Sequence, residues 1–128
     1  MTRRIPLFLR CSRREIAAIA ARAPSAVHPA GAAIVTEGDE SREFFVVLEG
    51  RVNVTQAATT LRELGPGDFF GEIAILAGGP RTATVTALTE VTALVVAEET
   101  LRELLGEMPV LRRKVAAALA DRIDRVGI

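Results

Sequence analysis

Mainly β with flanking helices is the architecture expected from this sequence, on three grounds. Short β-rich runs recur at even spacing between residues 27 and 98, separated by glycine turns, which is the pattern of an all-β roll or barrel. Residues 12–22 before them and residues 98–128 after them place apolar positions at helical spacing instead. At 128 residues and 13.7 kDa the chain suffices for one compact domain and is too short for two comfortable ones, so residues 1–128 are read as a single domain.

The N-terminal helix is expected over 12–22, "SRREIAAIAAR". Ser12 is a candidate N-cap, Glu15 stands three residues on, and Ile16, Ala17, Ile19 and Ala20 follow at helical spacing. The strands are expected in "AIVTEGDES", "EFFVVLEGRVNVTQ", "TTLRELGPGDFF", "TATVTAL" and "VTALVVAE". Gly38-Asp39, Glu49-Gly50 and Gly65-Pro66-Gly67-Asp68 punctuate them as tight turns. Beyond Glu98 helical periodicity returns, broken at Gly106 to Pro109, so two C-terminal helices are expected, the second much the longer. No internal repeat and no low-complexity linker divides the chain.

Composition narrows the function classes. Lys+Arg 16 balances Asp+Glu 16, so no global basic field gathers nucleic acid or anionic lipid. Arg3, Arg4, Arg10, Arg13 and Arg14 form a local basic cluster at the N-terminus, best explained as a solvated helix face. One cysteine, Cys11, and one histidine, His28, cannot supply a disulfide framework, an all-thiolate zinc site or a Ser-His-Asp or Cys-His catalytic set. A cytoplasmic location fits. The apolar runs are too short for a secretion signal or a membrane span. His28 is expected at the surface or on a strand edge.

The chemistry concentrates in "FGEIAILAGGPRTATV", residues 70 to 85. Strict alternation after Pro80 puts Arg81 in one row with Ala83, Val85 and Ala87, and puts Thr82, Thr84 and Thr86 on the opposite face. An unpaired guanidinium facing a core costs several kcal/mol, so Arg81 in that row implies an anion that the core does not supply. Gly71 opens a helix of one or two turns whose first N–H groups favour an anion, and Glu72 in its first turn has a carboxylate able to accept a ribose hydroxyl. Blander readings stand beside these. Glu72 complements the helix dipole, Arg81 forms an internal bridge with Glu72, and Gly78-Gly79 is only a turn.

Gly71, Glu72, Ile73, Ala74, Ile75 and Leu76, a loop ending in Pro80, then Arg81, Thr82 and Ala83 together resemble the phosphate-binding cassette of the cyclic nucleotide-binding domain. That is the family of the catabolite activator protein, of kinase regulatory subunits and of cyclic nucleotide-gated channels. "PAGAAIVTEGDESREFFVVLEGRVNV" is similar to the family's early strands, so the resemblance covers nearly the whole chain. It implies a β-roll, a jelly roll of about eight strands, with the cassette at 71–83 and C-terminal lid helices at 98–128. It further implies that Arg81 binds the cyclic phosphate, that Glu72 accepts the ribose 2′-hydroxyl, and that Gly71, Thr82 and Ala83 add backbone or hydroxyl donors. Thr82 then reaches the ligand only if the strand after Pro80 starts irregularly.

The candidate ligand-binding set is thus Gly71, Glu72, Ile73, Ala74, Arg81, Thr82 and Ala83, to which the last helix adds Arg122. Leu111, Val115, Ala118, Leu119, Arg122 and Ile123 share one helical face, and this stripe is expected to pack over the mouth of the roll. Arg122 either snorkels its head into water or stacks on the purine, as a lid arginine does in some bacterial channel domains of the family. The implied ligand is cAMP, with cGMP the alternative compatible with a hydroxyl at Thr82. The expected function is a cytoplasmic sensor, not an enzyme, with no metal and no cofactor. Two competing classes are a nucleotide-free β-roll scaffold for protein contact and a metal-dependent cupin, the latter disfavoured by a single histidine. The chain stops at Ile128, and no helix-turn-helix follows the long helix, so no nucleic-acid partner is expected. An effector domain or partner protein, or a homodimer through the C-terminal helix, would carry the output.

Overall fold

The computed structural model describes residues 10–125. Arg3 and Arg4 of the basic cluster, and residues 126–128 of the expected last helix, lie outside the described residues. The first element is α1 (Arg13–Ala20), followed by β1 (Ser25–His28), β2 (Ala33–Val35), β3 (Glu43–Glu49), β4 (Val52–Gln56), β5 (Thr59–Leu64) and β6 (Phe69–Phe70). Then come α2 (Glu72–Leu76), β7 (Thr84–Ala87), β8 (Val91–Ala97), α3 (Glu98–Glu107) and α4 (Pro109–Arg125). The eight strands pair antiparallel in two four-stranded sheets, ordered β1-β8-β3-β6 and β2-β7-β4-β5. The fold is the expected mainly β roll with an N-terminal helix and two C-terminal helices.

The unbroken run Phe44, Phe45, Val46, Val47 in β3 is buried throughout because the first sheet is covered on both faces. Phe44 and Val46 point to a layer formed with Ile19 of α1, Leu101 and Leu104 of α3, and Leu111, Val115 and Ala118 of α4. Phe45 and Val47 point the other way, to the core shared with Val52, Val54, Leu64 and Val85 of the second sheet. One aromatic pair lies in each layer. Phe44 and Phe69 are tilted with centroids 5.3 Å apart, and Phe45 and Phe70 are stacked at 4.8 Å, both within the favourable range for ring pairs.

Ser12 caps α1 in a reciprocal box: its Oγ accepts from the Glu15 N–H at 3.2 Å, and Glu15 Oε1 accepts from the Ser12 N–H at 2.7 Å. Glu15 also receives Lys114 Nζ from α4 at 2.6 Å. Burial opposes ionisation of Glu15, but the hydrogen bonds from Lys114 and Ser12 outweigh it and hold the carboxyl below its ordinary range. The N-terminal helix is thereby tied to the start of α4. The break between the C-terminal helices is set by Pro109 and not by Gly106, which stays inside α3. Met108 adopts an extended backbone, φ −120° and ψ 89°, as expected of a residue before proline.

The apolar stripe of α4 departs from expectation. Leu111, Val115 and Ala118 bury themselves against the outer layer of the first sheet, and Leu119 and Ile123 are half-buried. The first sheet's outer face offers Phe44, Val46, Phe69 and Leu94 as an apolar surface, and the stripe packs there. Arg122 alone of that stripe lines the mouth of the roll.

Candidate functional site

A cleft of about 540 Å³, including its open mouth, lies against the second sheet and α2. All eight candidate residues line it: Gly71, Glu72, Ile73, Ala74, Arg81, Thr82, Ala83 and Arg122.

Gly71 closes β6 and caps α2 with a left-handed backbone, φ +98°. A Cβ there would stand 2.5 Å from the Glu43 carbonyl oxygen and 3.1 Å from Arg81 Nη1, so both conformation and space demand glycine. The far end of α2 is capped by cations. Arg42 Nη1 donates to the Ala74 carbonyl and Arg102 Nη2 donates to the Ile75 carbonyl at 3.0 Å. Arg102 belongs to α3, which links the short helix to the C-terminal helices.

Arg81 is only 5% exposed. Its Nε donates to Ser41 Oγ at 3.1 Å, Nη1 to the Gly71 carbonyl at 3.1 Å, and Nη2 to the Glu43 carbonyl at 2.8 Å. All these acceptors are neutral. Its main chain is fixed too: the Arg81 N–H donates to the Asp39 carbonyl at 2.7 Å, and the Gly38 N–H donates to the Arg81 carbonyl at 2.9 Å. Burial lowers its pKa, partly countered by the charges of Glu43 and Glu72. The internal bridge between Arg81 and Glu72, one of the blander readings of the sequence, does not form.

Glu72 pairs with Arg122 instead. Its carboxylate is 1% exposed, and Arg122 Nη1 donates to both oxygens at 2.8 Å. The Arg122 guanidinium lies 5.1 Å from the centroid of the Phe69 ring, and its Nε is buried with no hydrogen-bond partner. At 6% exposure the head does not reach water, which overturns the snorkelling expectation. A buried carboxylate at the start of α2 attracts it inward.

Strict alternation from Arg81 is also overturned. β7 begins only at Thr84, and residues 82 and 83 are bends, so Arg81, Thr82 and Ala83 all line one cleft. Gln56 Nε2 donates to the Thr82 carbonyl at 3.1 Å and supports the irregular start. Thr82 thereby gains the access that alternation denied it.

Sequence reasoning missed Arg62 and Asp121. Arg62 of β5 is 6% exposed, lines the cleft, and has Nη1 3.7 Å from Asp121 Oδ2 on α4. The signal was the one that singled out Arg81, an arginine sharing the buried face of a strand with a leucine, here Leu64. His28 sits half-buried on the edge strand β1, with its Nε2 buried and unpartnered. Cys11 is buried elsewhere, under α1 and α4, its thiol pushed up to about 12 chiefly by burial. Among the described residues no His, Cys, Asp and Glu cluster of three could hold a metal ion, and no helix is long and apolar enough to cross a membrane.

Comparison with known proteins gives a consistent picture. The family model described as "Cyclic nucleotide-binding domain" matches residues 26–108. A cyclic nucleotide-gated potassium channel of Rhizobium etli is 40% identical over 90 residues, 70% of this chain and 25% of the channel. A CRP-like cAMP-activated global transcriptional regulator of Mycobacterium tuberculosis is 30% identical over 117 residues, 88% of this chain and 52% of the regulator. The crystal structure of the Thermus thermophilus catabolite activator protein superposes with a TM-score of 0.75 at 28% identity, covering 88% of this chain and 55% of that one. The chain thus spans about half the length of the regulator and a quarter of the channel. The matched span contains both sheets from Ala26 onward, α2 and the Gly71-to-Ala83 segment, and on that evidence the chain belongs to the cyclic nucleotide-binding domain family.

Proposed function

We propose that this chain is a sensor that takes cAMP in the cleft and passes the event on through α4. The observation that carries the reading is Arg81: a guanidinium in a buried cleft wall, oriented by three neutral acceptors and with no carboxylate in hydrogen-bond contact among the described residues. A cyclic phosphodiester supplies the missing anion, received by Arg81 together with the backbone N–H groups that open α2.

The remaining contacts follow from what each side chain can do. Glu72 accepts the ribose 2′-hydroxyl. A carboxylate has about four lone-pair sites, and Arg122 occupies one on each oxygen, so the pair orients the carboxylate without consuming it. Gly71, Ile73, Ala74 and Ala83 frame the phosphate closely, and Thr82 offers its hydroxyl. Arg122 moves from the notion of a purine lid to that of a group holding Glu72 in place.

The name of the cAMP-activated mycobacterial relative supports cAMP as ligand. The Thr82 hydroxyl in the cleft favours cGMP as the second reading, because it can accept from the guanine amino group. The role is regulation and not catalysis. An effector domain or partner protein, or a second copy joined through α4, would read the signal in the cytoplasm. Isothermal titration of the chain with cAMP and cGMP tests the proposal: cAMP is expected to bind tighter. Equal or tighter cGMP binding overturns the choice of base, and binding of neither nucleotide overturns the sensor.

A further inference from the structure

The segment before and at the start of β3 holds Arg81 in place. The Arg81 N–H donates to the Asp39 carbonyl, the Gly38 N–H donates to the Arg81 carbonyl, Nη2 donates to the Glu43 carbonyl, and Nε donates to Ser41 Oγ at 3.1 Å. Only the last of these contacts uses a side chain of the segment, and it is one that can be chemically changed. Ser41 is exposed, lies in the irregular stretch between β2 and β3, and stands outside the lining of the cleft. Arg81 is buried in the cleft wall. One exposed hydroxyl therefore touches the far side of a guanidinium that faces the cleft. As an acceptor Oγ keeps its own proton, and an exposed irregular segment is accessible to a modifying enzyme. The other charged groups around Arg81 leave its charge uncancelled. Asp39, Glu40 and Glu43 are exposed and screened by solvent, Glu72 is engaged by Arg122, and Arg42 donates to the Ala74 carbonyl.

We propose that Ser41 is a phosphorylation site at which a protein serine kinase silences the cleft; this rests on the cyclic nucleotide reading above. The kinase brings a nucleoside triphosphate as phosphoryl donor. A bond forms between Ser41 Oγ and the γ-phosphorus, the bond from that phosphorus to the β,γ-bridging oxygen breaks, the nucleoside diphosphate leaves, and the hydroxyl proton passes to the kinase's base. The product carries about −1.5 to −2 charge and three strong acceptor oxygens, one bond beyond an oxygen already 3.1 Å from Arg81 Nε. A phosphate tethered there gives Arg81 an ionic partner of its own. An arriving cyclic phosphodiester then meets a neutralised guanidinium with a like charge behind it. The group acts through Arg81 and need not enter the nucleotide's space.

The chain carrying phosphoserine at position 41, incorporated during synthesis at a reassigned stop codon, is compared with the wild type and with Ser41→Ala by calorimetry with cAMP. Phosphoserine is expected to weaken cAMP at least about tenfold, while Ser41→Ala, which removes one neutral acceptor and adds no charge, stays within about threefold. Affinity within about twofold of the wild type in the phosphorylated chain overturns the proposal, and an equal loss in Ser41→Ala overturns it too, by assigning the effect to the hydroxyl alone. Phosphorus NMR reads the contact without any nucleotide. The phosphoserine is expected to take up its last proton at lower pH in the folded chain than in urea, because the guanidinium favours the dianion; equal titration in both overturns the contact. Peptide mass spectrometry of the chain from its own cells is expected to find a phosphoryl group on Ser41, and its absence overturns the modification. Failure of the underlying reading shows separately, as an unmodified wild type that binds neither cAMP nor cGMP while the NMR difference persists, and it removes the silencing with it.

Discussion

Arg81 and Arg122 face the same cleft, both nearly fully buried, and the protein treats their charges in opposite ways. Arg122 meets a carboxylate, with Nη1 2.8 Å from both oxygens of Glu72. Arg81 meets a hydroxyl and two carbonyls, which orient it and leave its charge uncancelled. A neutral buried pair is a device of position. On the function proposed above, a buried cation among neutral acceptors is a device of affinity, because an arriving anion would recover Coulomb energy in a low-dielectric site that water would otherwise screen. The same residue type, 41 positions apart, is thus set in two different electrostatic environments, and its partners decide which.

The widest test of that division removes the carboxylate. Glu72→Ala leaves Arg122 as an uncompensated buried charge and is expected to cost about 3–5 kcal/mol of folding stability, measured by urea denaturation. Replacing the pair together by apolar side chains, Glu72→Met with Arg122→Met, is expected to restore most of that loss, since the penalty lies in the orphaned charge and not in the missing attraction. In the double variant cAMP and its 2′-deoxy analogue are expected to bind alike by calorimetry. Continued preference for the ribonucleotide would return Glu72 to a purely dipole-complementing role.

Next in size is the other arginine. Arg81→Leu is expected to remove at least about 2 kcal/mol of cAMP affinity, the scale of hydrogen bonds to charged groups. Leucine fills part of the buried space but leaves the Gly71 and Glu43 carbonyls without their donors, so the thermal midpoint is expected to fall as well. Circular dichroism establishes that the variant is folded, and titration then gives the affinity. Unchanged affinity in a folded variant would erase the contrast between the two arginines and the site assignment with it.

How much of this was legible in the sequence follows from which interactions are local. The Ser12 and Glu15 capping box spans three residues and appears as expected. Gly71, Glu72 and Arg81 lie within one short segment, and their convergence follows from its spacing. The Glu72–Arg122 pair joins positions 50 apart, and nothing local to either residue announces it. The outer layer of the first sheet is likewise a product of tertiary packing, so the α4 stripe was legible as a face while its destination was not. Arg62 is different: its alternation with Leu64 is readable in the sequence, but it lies outside the cassette segment and is joined to the cleft only by the pairing of β4 with β5. Alternation from Arg81 failed because Pro80 and the Gln56 contact at Thr82 hold residues 82 and 83 outside the strand, a detail that period-two reasoning assumes away.

The smallest expected effect concerns α4, where the two kinds of contact meet on one helix. Its first turns are held by Leu111, Val115 and Ala118 in the outer core layer and by Lys114 on Glu15. Its last turns carry Asp121 and Arg122, whose ion pairs reach across to β5 and α2 at the cleft. Burial of three side chains makes the first part costly to open, whereas the second part depends on groups that line the cleft or pair with residues lining it. On the proposed reading, a nucleotide at Glu72 would bear on the end of the helix and not on its start. Hydrogen exchange is expected to show added protection on cAMP binding at amides after Leu119, with the turn beginning at Pro109 unchanged. Arg122→Ala is expected to weaken cAMP several-fold, about 1 kcal/mol, through loss of the group that orients Glu72, with the phosphate contacts untouched. Equal protection along residues 109–125 would mean that α4 responds as one rigid unit. No change anywhere on it would leave a preformed cleft whose signal leaves by another route, through α2 and its Arg102 link to α3.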